Sequence, residues 1–287
     1  MRLSVRAAIL AALLILVTAS GASAATPTIG SSPDWRTVDG AVPHGLGHAI
    51  PLKAARPAWF TDELAARVHA ANGAPVAAPQ DAPLPGEVGI RPGSWMIAPA
   101  GCTMNFVFGS PGSYSIGTAG HCGNAGETVT LLTLAPGGAN PVLVDIGTVQ
   151  KSVNGGIGND FALVSIRPEL QSWVSPTIAV VAGPCGAYGG SGPEAVFHYG
   201  HGLAVGTGGT PRAGLALTWQ ASAFGWSGVA APGDSGSAVR VNTGMQAAGD
   251  LTHLVVDTNW LPSYIVGTRI SRILQIAGQP LANSPLC

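Results

Sequence analysis

Gly117-Thr118-Ala119-Gly120-His121-Cys122, then Asn159-Asp160-Phe161-Ala162-Leu163-Val164, then Gly233-Asp234-Ser235-Gly236-Ser237: these three stretches, met in that order, decide how the chain is read. A serine hydroxyl is a weak nucleophile at neutral pH. It becomes a strong one when an imidazole takes its proton and a carboxylate holds that imidazole in the right tautomer. His121, Asp160 and Ser235 supply these three groups, spaced 39 and 75 residues apart. Each stretch alone is a common turn or loop sequence. Together, in one order, they point to nucleophilic acyl chemistry.

The order His, Asp, Ser is that of the chymotrypsin-type barrels, whereas subtilisin-like and α/β-hydrolase folds thread the same groups differently. Thr118–Cys122 resembles the segment that carries the general base in chymotrypsin/trypsin-like serine peptidases. Asp160-Phe161-Ala162-Leu163 is similar to the strand that opens on the orienting Asp, and Gly233–Gly236 to the nucleophile loop. The short intervals resemble the compact secreted bacterial branch, and the likeness covers residues 89–287.

That resemblance implies an all-β fold of two antiparallel six-stranded barrels with a short C-terminal helix. The first barrel would span about 89–172 and the second about 173–287, with the catalytic groups meeting between them. It also implies a serine endopeptidase that works through an acyl-enzyme on Ser235, with the backbone N–H groups of Gly233 and Ser235 as the oxyanion hole. No metal or organic cofactor is expected, and the partners are protein or peptide substrates of a monomer. The competing reading is a non-catalytic secreted binding protein on the same scaffold, because fold does not fix function.

Four cysteines in an exported chain allow three pairings of two disulfides. The resemblance implies Cys102–Cys122, which leaves Cys185 for Cys287.

Export is read from the N-terminus. Arg2 and Arg6 precede an apolar run from Ala7 to Val17, and Ala22-Ser23-Ala24 stands before Ala25. This is the pattern of a signal peptide over residues 1–24, too short in its apolar part to span a bilayer. The expected location is extracellular.

Residues 25–88 are rich in Ala, Pro and Gly and read as a propeptide or N-terminal extension, making the chain a zymogen. One helix is predicted there, Asp62–Ala71, capped by Thr61 and stopped by Asn72-Gly73. Ala74–Pro85, with its four prolines, reads as a solvated linker.

With 9% charged residues and a net charge of −1, the chain offers no electrostatic case for nucleic acid or a membrane surface. Its 46% hydrophobic content is enough for a core.

Strands are predicted at Met104–Phe108, Thr128–Leu134, Val142–Val149, Phe161–Ile166, Ile178–Val181, Ala213–Trp219, Gly236–Val241, Leu251–Val256 and Tyr264–Gly267. A last helix is predicted at Ser271–Ala277, ended by Gly278 and Pro280.

Specificity is less legible. Val229 stands six residues before the nucleophile, where a trypsin-like pocket carries an acid, so the resemblance argues against a Lys or Arg preference. Thr252 and His253 lie on the strand that would flank the substrate. His253 could hold an acidic side chain, or Asp250 a basic one, or both could be structural. An apolar or small residue before the cut is the expectation. His198 with His201, and His44 with His48, have spacings seen in metal sites, but neither pair has a third ligand in its sequence neighbourhood.

Overall fold

The computed structural model describes residues 48–202, 209–256 and 262–287. The predicted signal peptide, residues 25–47 of the extension and His44 lie outside them. The described elements run β1 (His48–Pro51), α1 (Asp62–Ala70), β2 (Val76–Ala77), β3 (Trp95–Ala98), β4 (Cys102–Thr103), β5 (Val107–Phe108), β6 (Ser115–Thr118), β7 (Thr128–Leu134), β8 (Pro141–Asn154), β9 (Asp160–Ser165), β10 (Glu194–Gly200), β11 (Thr210–Trp219), β12 (Ala223–Ser227), β13 (Ala238–Val241), β14 (Ala247–Asp250), β15 (His253–Val256), β16 (Pro262–Thr268) and α2 (Ile270–Ala277).

These strands form two antiparallel sheets. In the first the order is β4-β3-β7-β8-β9-β6-β5, with β2 added on β8. In the second it is β1-β15-β16-β12-β11-β10-β13-β14. Each sheet therefore has eight strands rather than the expected six, and in each the N-terminal extension contributes one, β2 to the first and β1 to the second.

The fourteen-residue β8 makes the first sheet curl. Its first half pairs with β7 and its second half with β9, with a bulge between Val149 and Lys151. A bulge sharpens local twist and lets one strand serve two directions. Ile116, Val129, Leu131, Val144, Ile146 and Val164 fill the space inside that sheet. Phe224, Trp226, Val239, Ala248 and Ile265 fill the second. Phe106, Phe108, Phe161 and Tyr199 form a further apolar group with Ile270 and Ile273 of α2.

Both disulfides are Cys102–Cys122 and Cys185–Cys287, as expected. α2 matches its predicted span within one residue and ends on Gly278, whose φ of 67° suits a residue without a Cβ.

The extension is not a loose linker. Thr61 Oγ1 accepts the Leu64 N–H to start α1, and Asp62 and Glu63 occupy its positive end. Leu64, Val68 and Phe60 pack with Trp95, Ile97, Leu132 and Leu143 of the first sheet. Val76 and Ala77 pair with Leu143 and Val142, and Glu87 is buried. The prolines of 75–85 fit this course because an edge strand of two residues needs few backbone donors.

Ile178–Val181 is not a strand. Ile178 and Ala179 are buried as β-type residues would be, but Val180 and Ala182 have φ of 62° and 58°, which breaks any extended run. The predicted Leu251–Val256 strand begins two residues later, as β15, and β3, β4, β6, β10, β12 and β14 add strands where none was expected.

Candidate active site

A single turn of 3-10 helix, Gly120–Cys122, follows β6 and delivers His121 to the end of the first sheet. Gly120 is required there, since a Cβ would sit 1.9 Å from the Val153 carbonyl oxygen. β9 begins at Asp160, whose carboxylate takes two hydrogen bonds from one residue: the His121 backbone N–H at 2.9 Å and Nδ1 at 2.6 Å. His121 Nε2 then lies 2.7 Å from Ser235 Oγ. The three residues chosen from the sequence form one continuous hydrogen-bonded relay, from a fully buried carboxylate to a buried hydroxyl.

Burial pushes the Asp160 carboxyl up, but the charge and hydrogen bonds of His121, with a smaller contribution from His253, outweigh it and hold the group below the usual carboxylate value. Asp160 is therefore ionised at neutral pH. It can stabilise an imidazolium on His121 when the serine proton is taken.

Ser235 sits in a tight loop. Gly233 has a φ of 109°, and a Cβ on it would come within 2.4 Å of the His201 carbonyl oxygen. Asp234 is buried, paired with Arg212, and accepts the N–H groups of Gly202 at 2.9 Å and Ala231 at 2.8 Å. It acts as the internal anchor of the loop. With the loop so held, the N–H groups of Gly233 and Ser235 converge on a single oxygen, the Leu52 carbonyl, at 2.6 and 3.3 Å. Two backbone donors aimed at one carbonyl oxygen can stabilise charge that develops on it.

The three residues picked for specificity fall in different places. Val229 is 67% exposed. The Thr252 carbonyl accepts the Leu52 N–H at 3.1 Å and the Ser235 hydroxyl at 3.0 Å, so it touches both the nucleophile and the strand beside it. His253 is buried against the relay: its ring centroid is 5.5 Å from that of His121, and Nδ1 lies 2.9 Å from Thr252 Oγ1 and 3.8 Å from Asp160 Oδ2. Burial drives its pKa down to about 4, Asp160 opposing, so it is neutral at physiological pH.

Asp250 does not attract a basic side chain. It is fully buried and bonded to the Thr268 N–H at 3.0 Å, and burial, with the nearby charge of Asp160, raises its carboxyl well above the usual range. His198 and His201 part company as well. His201 Nε2 meets Glu87 Oε1 at 2.7 Å with its ring stacked on Trp95, while His198 lies edge-on to Trp226.

Reasoning from sequence missed Leu52, Glu87 and Arg212. Arg212 and Asp234 are opposite charges in a chain with few, which was a usable signal; Leu52 offers none.

Solved structures similar to this chain include protease A of Thermobifida fusca, at 20% identity over 69% of this chain and 100% of that one, with a TM-score of 0.46. A glutamic acid-specific serine protease described as using a histidine triad in substrate binding matches at 17% identity over 67% and 100%, TM-score 0.48. The Nocardiopsis protease matches at 18% over 68% and 98%, TM-score 0.47. No family model and no curated protein matches the chain.

Proposed function

We propose that this chain is an exported serine endopeptidase. The observation that carries the reading is the unbroken path from Asp160 through His121 to Ser235, beside two backbone N–H groups that share one carbonyl oxygen. Ser235 Oγ attacks the carbonyl carbon of a peptide, His121 Nε2 takes the hydroxyl proton, and Asp160 balances the imidazolium. The Gly233 and Ser235 N–H groups hold the oxyanion. His121 then returns the proton to the leaving amine, and water repeats the sequence on the ester to free Ser235. Every one of these roles is filled by a residue of this chain.

Two disulfides suit an oxidising compartment, in agreement with the N-terminal export signal. The protein acts as a monomer on protein or peptide substrates.

Labelling with a fluorophosphonate probe tests the reading. A single adduct on Ser235, with casein cleavage abolished in Ser235→Ala, supports it. No adduct on any form of the chain would favour the binding-protein alternative.

A further inference from the structure

The groove beside Ser235 is filled by the chain itself. β1 pairs antiparallel with β15 in the register His48↔Val256, Ala49↔Val255, Ile50↔Leu254, Pro51↔His253. The ladder continues one residue further, where Leu52 N–H donates to the Thr252 carbonyl at 3.1 Å. Leu52 then presents its own carbonyl to both loop donors, Gly233 N–H at 2.6 Å and Ser235 N–H at 3.3 Å.

Its side chain is 2% exposed and joins the apolar group that includes Trp226, Val239 and Ile265, with Ala230 and Leu254 at its edge. On the far side of the peptide bond, Lys53 Nζ donates to the His121 carbonyl at 3.2 Å. Ala54 exchanges two backbone hydrogen bonds with Gly101, at 2.7 and 3.0 Å. The chain is thus held on both sides of one peptide bond, and that bond's carbonyl receives the two donors next to the nucleophile.

We infer that the Leu52–Lys53 bond is a substrate of Ser235 in the same molecule. The inference rests on the peptidase reading above and deepens it. Ser235 Oγ bonds to the Leu52 carbonyl carbon while its proton passes to His121 Nε2. The Leu52 C–N bond breaks, and the proton moves from His121 to the departing nitrogen, which becomes the amino group of Lys53. Water, deprotonated by His121, cleaves the ester, leaving a carboxylate on Leu52 and the hydroxyl on Ser235.

The body then begins at Lys53. Everything from Ala54 onward stays, because α1 and β2 are built into the first sheet. The removable piece ends at residue 52, well before residue 88, where sequence reading ended the propeptide or extension. Until the segment leaves, the groove is closed to other peptides.

The same contacts name the substrate class: a peptide that adds an antiparallel strand to β15 and buries a large aliphatic side chain before the cut. The residue ahead of it is Pro51, which has no N–H to give.

The test incubates purified full-length wild-type and Ser235→Ala chains, reads N-termini by sequencing, and treats both and a Leu52→Asp variant with the fluorophosphonate. A new N-terminus at Lys53 in the wild type alone, at a rate independent of protein concentration, is the expected result. Leu52→Asp loses that cut, because the apolar pocket rejects the charge, yet its Ser235 is labelled. The processed wild type hydrolyses a peptide anilide ending in Pro-Leu at least about tenfold faster than one ending in Pro-Ala.

Cleavage of Ser235→Ala at the same bond overturns the inference. So does a wild type whose Ser235 is labelled but whose chain stays whole or is cut elsewhere; the peptidase reading survives that result. Absence of labelling in wild type and Leu52→Asp alike sinks both.

Discussion

Nδ1 of His253 lies 3.8 Å from Oδ2 of Asp160, so the carboxylate that orients His121 faces a second imidazole. That second ring stays neutral because it is buried, as is the ring of His198, and burial pushes each down to about 4.

Stability follows from this with a definite sign. An unfolded histidine binds its proton near pH 6.5, whereas these two bind theirs only near pH 4, so between those values the unfolded state holds more protons. Stability therefore falls as pH drops from about 6.5 to about 4, by at most about 3 kcal/mol for each ring. Thermal melts across that range should show a steady decline, and His198→Gln should remove about half of it, leaving the part due to His253. A melting temperature that is level from pH 7 to pH 4 contradicts the assignment.

Asp160 and Asp250 are both buried acids in one neighbourhood, yet they should respond oppositely to the same change. Asp160→Asn removes the charge that stabilises imidazolium and should lower kcat by about 10⁴-fold, as expected when the orienting carboxylate of such a relay is lost. Burial, with the charge of Asp160, favours the neutral form of Asp250, so Asp250→Asn should leave kcat within about threefold and the melt within roughly 1 kcal/mol, comparable to a volume-conserving swap. Steady-state kinetics on a chromogenic peptide, with a melt of each variant, separates the two.

Arg212 serves the nucleophile at one remove. Arg212→Met strands the buried Asp234 charge and should cost about 3–5 kcal/mol. At a temperature where the variant remains folded, the loosened Gly233–Ser235 loop should lower kcat more than it raises KM. Equal loss of both would show that the pair only stabilises the fold.

The bridge between Cys185 and Cys287 closes a loop of 102 residues, and its removal in a Cys185→Ala, Cys287→Ala double variant should cost up to about 4.7 kcal/mol in the chain-entropy model. The Asp160–His121–Ser235 relay lies elsewhere, so kcat at low temperature should hold. Calorimetry beside a peptide assay reads both.

The relay was legible in the sequence because its chemistry confines each residue to a short local pattern: a glycine that lets the turn carry His121 approach Val153, an Asp at the head of a strand, a serine between glycines. Leu52 was not legible, since an aliphatic residue in an Ala- and Pro-rich stretch has no chemical mark. Its part depends on the register of β1 against β15, which is settled two hundred residues away. Ala74–Pro85 read as a linker by composition, but a few pairings and small side chains are enough to seat it. His253 was singled out for its place on the right strand, while its orientation, toward Asp160, is a matter of packing that spacing does not encode.

Glu87 closes a different kind of connection. The strip from Ala54 starts against Gly101 on the first sheet, runs through α1 and β2, and ends with the Glu87 side chain on His201, just beyond β10 of the second. It works as a strap across two halves that each own part of the relay, His121 and Asp160 on one and Ser235 on the other. Lengthening, nicking or loosening that strap would shift the distance between nucleophile and base, so turnover could be tuned by residues that never meet a substrate.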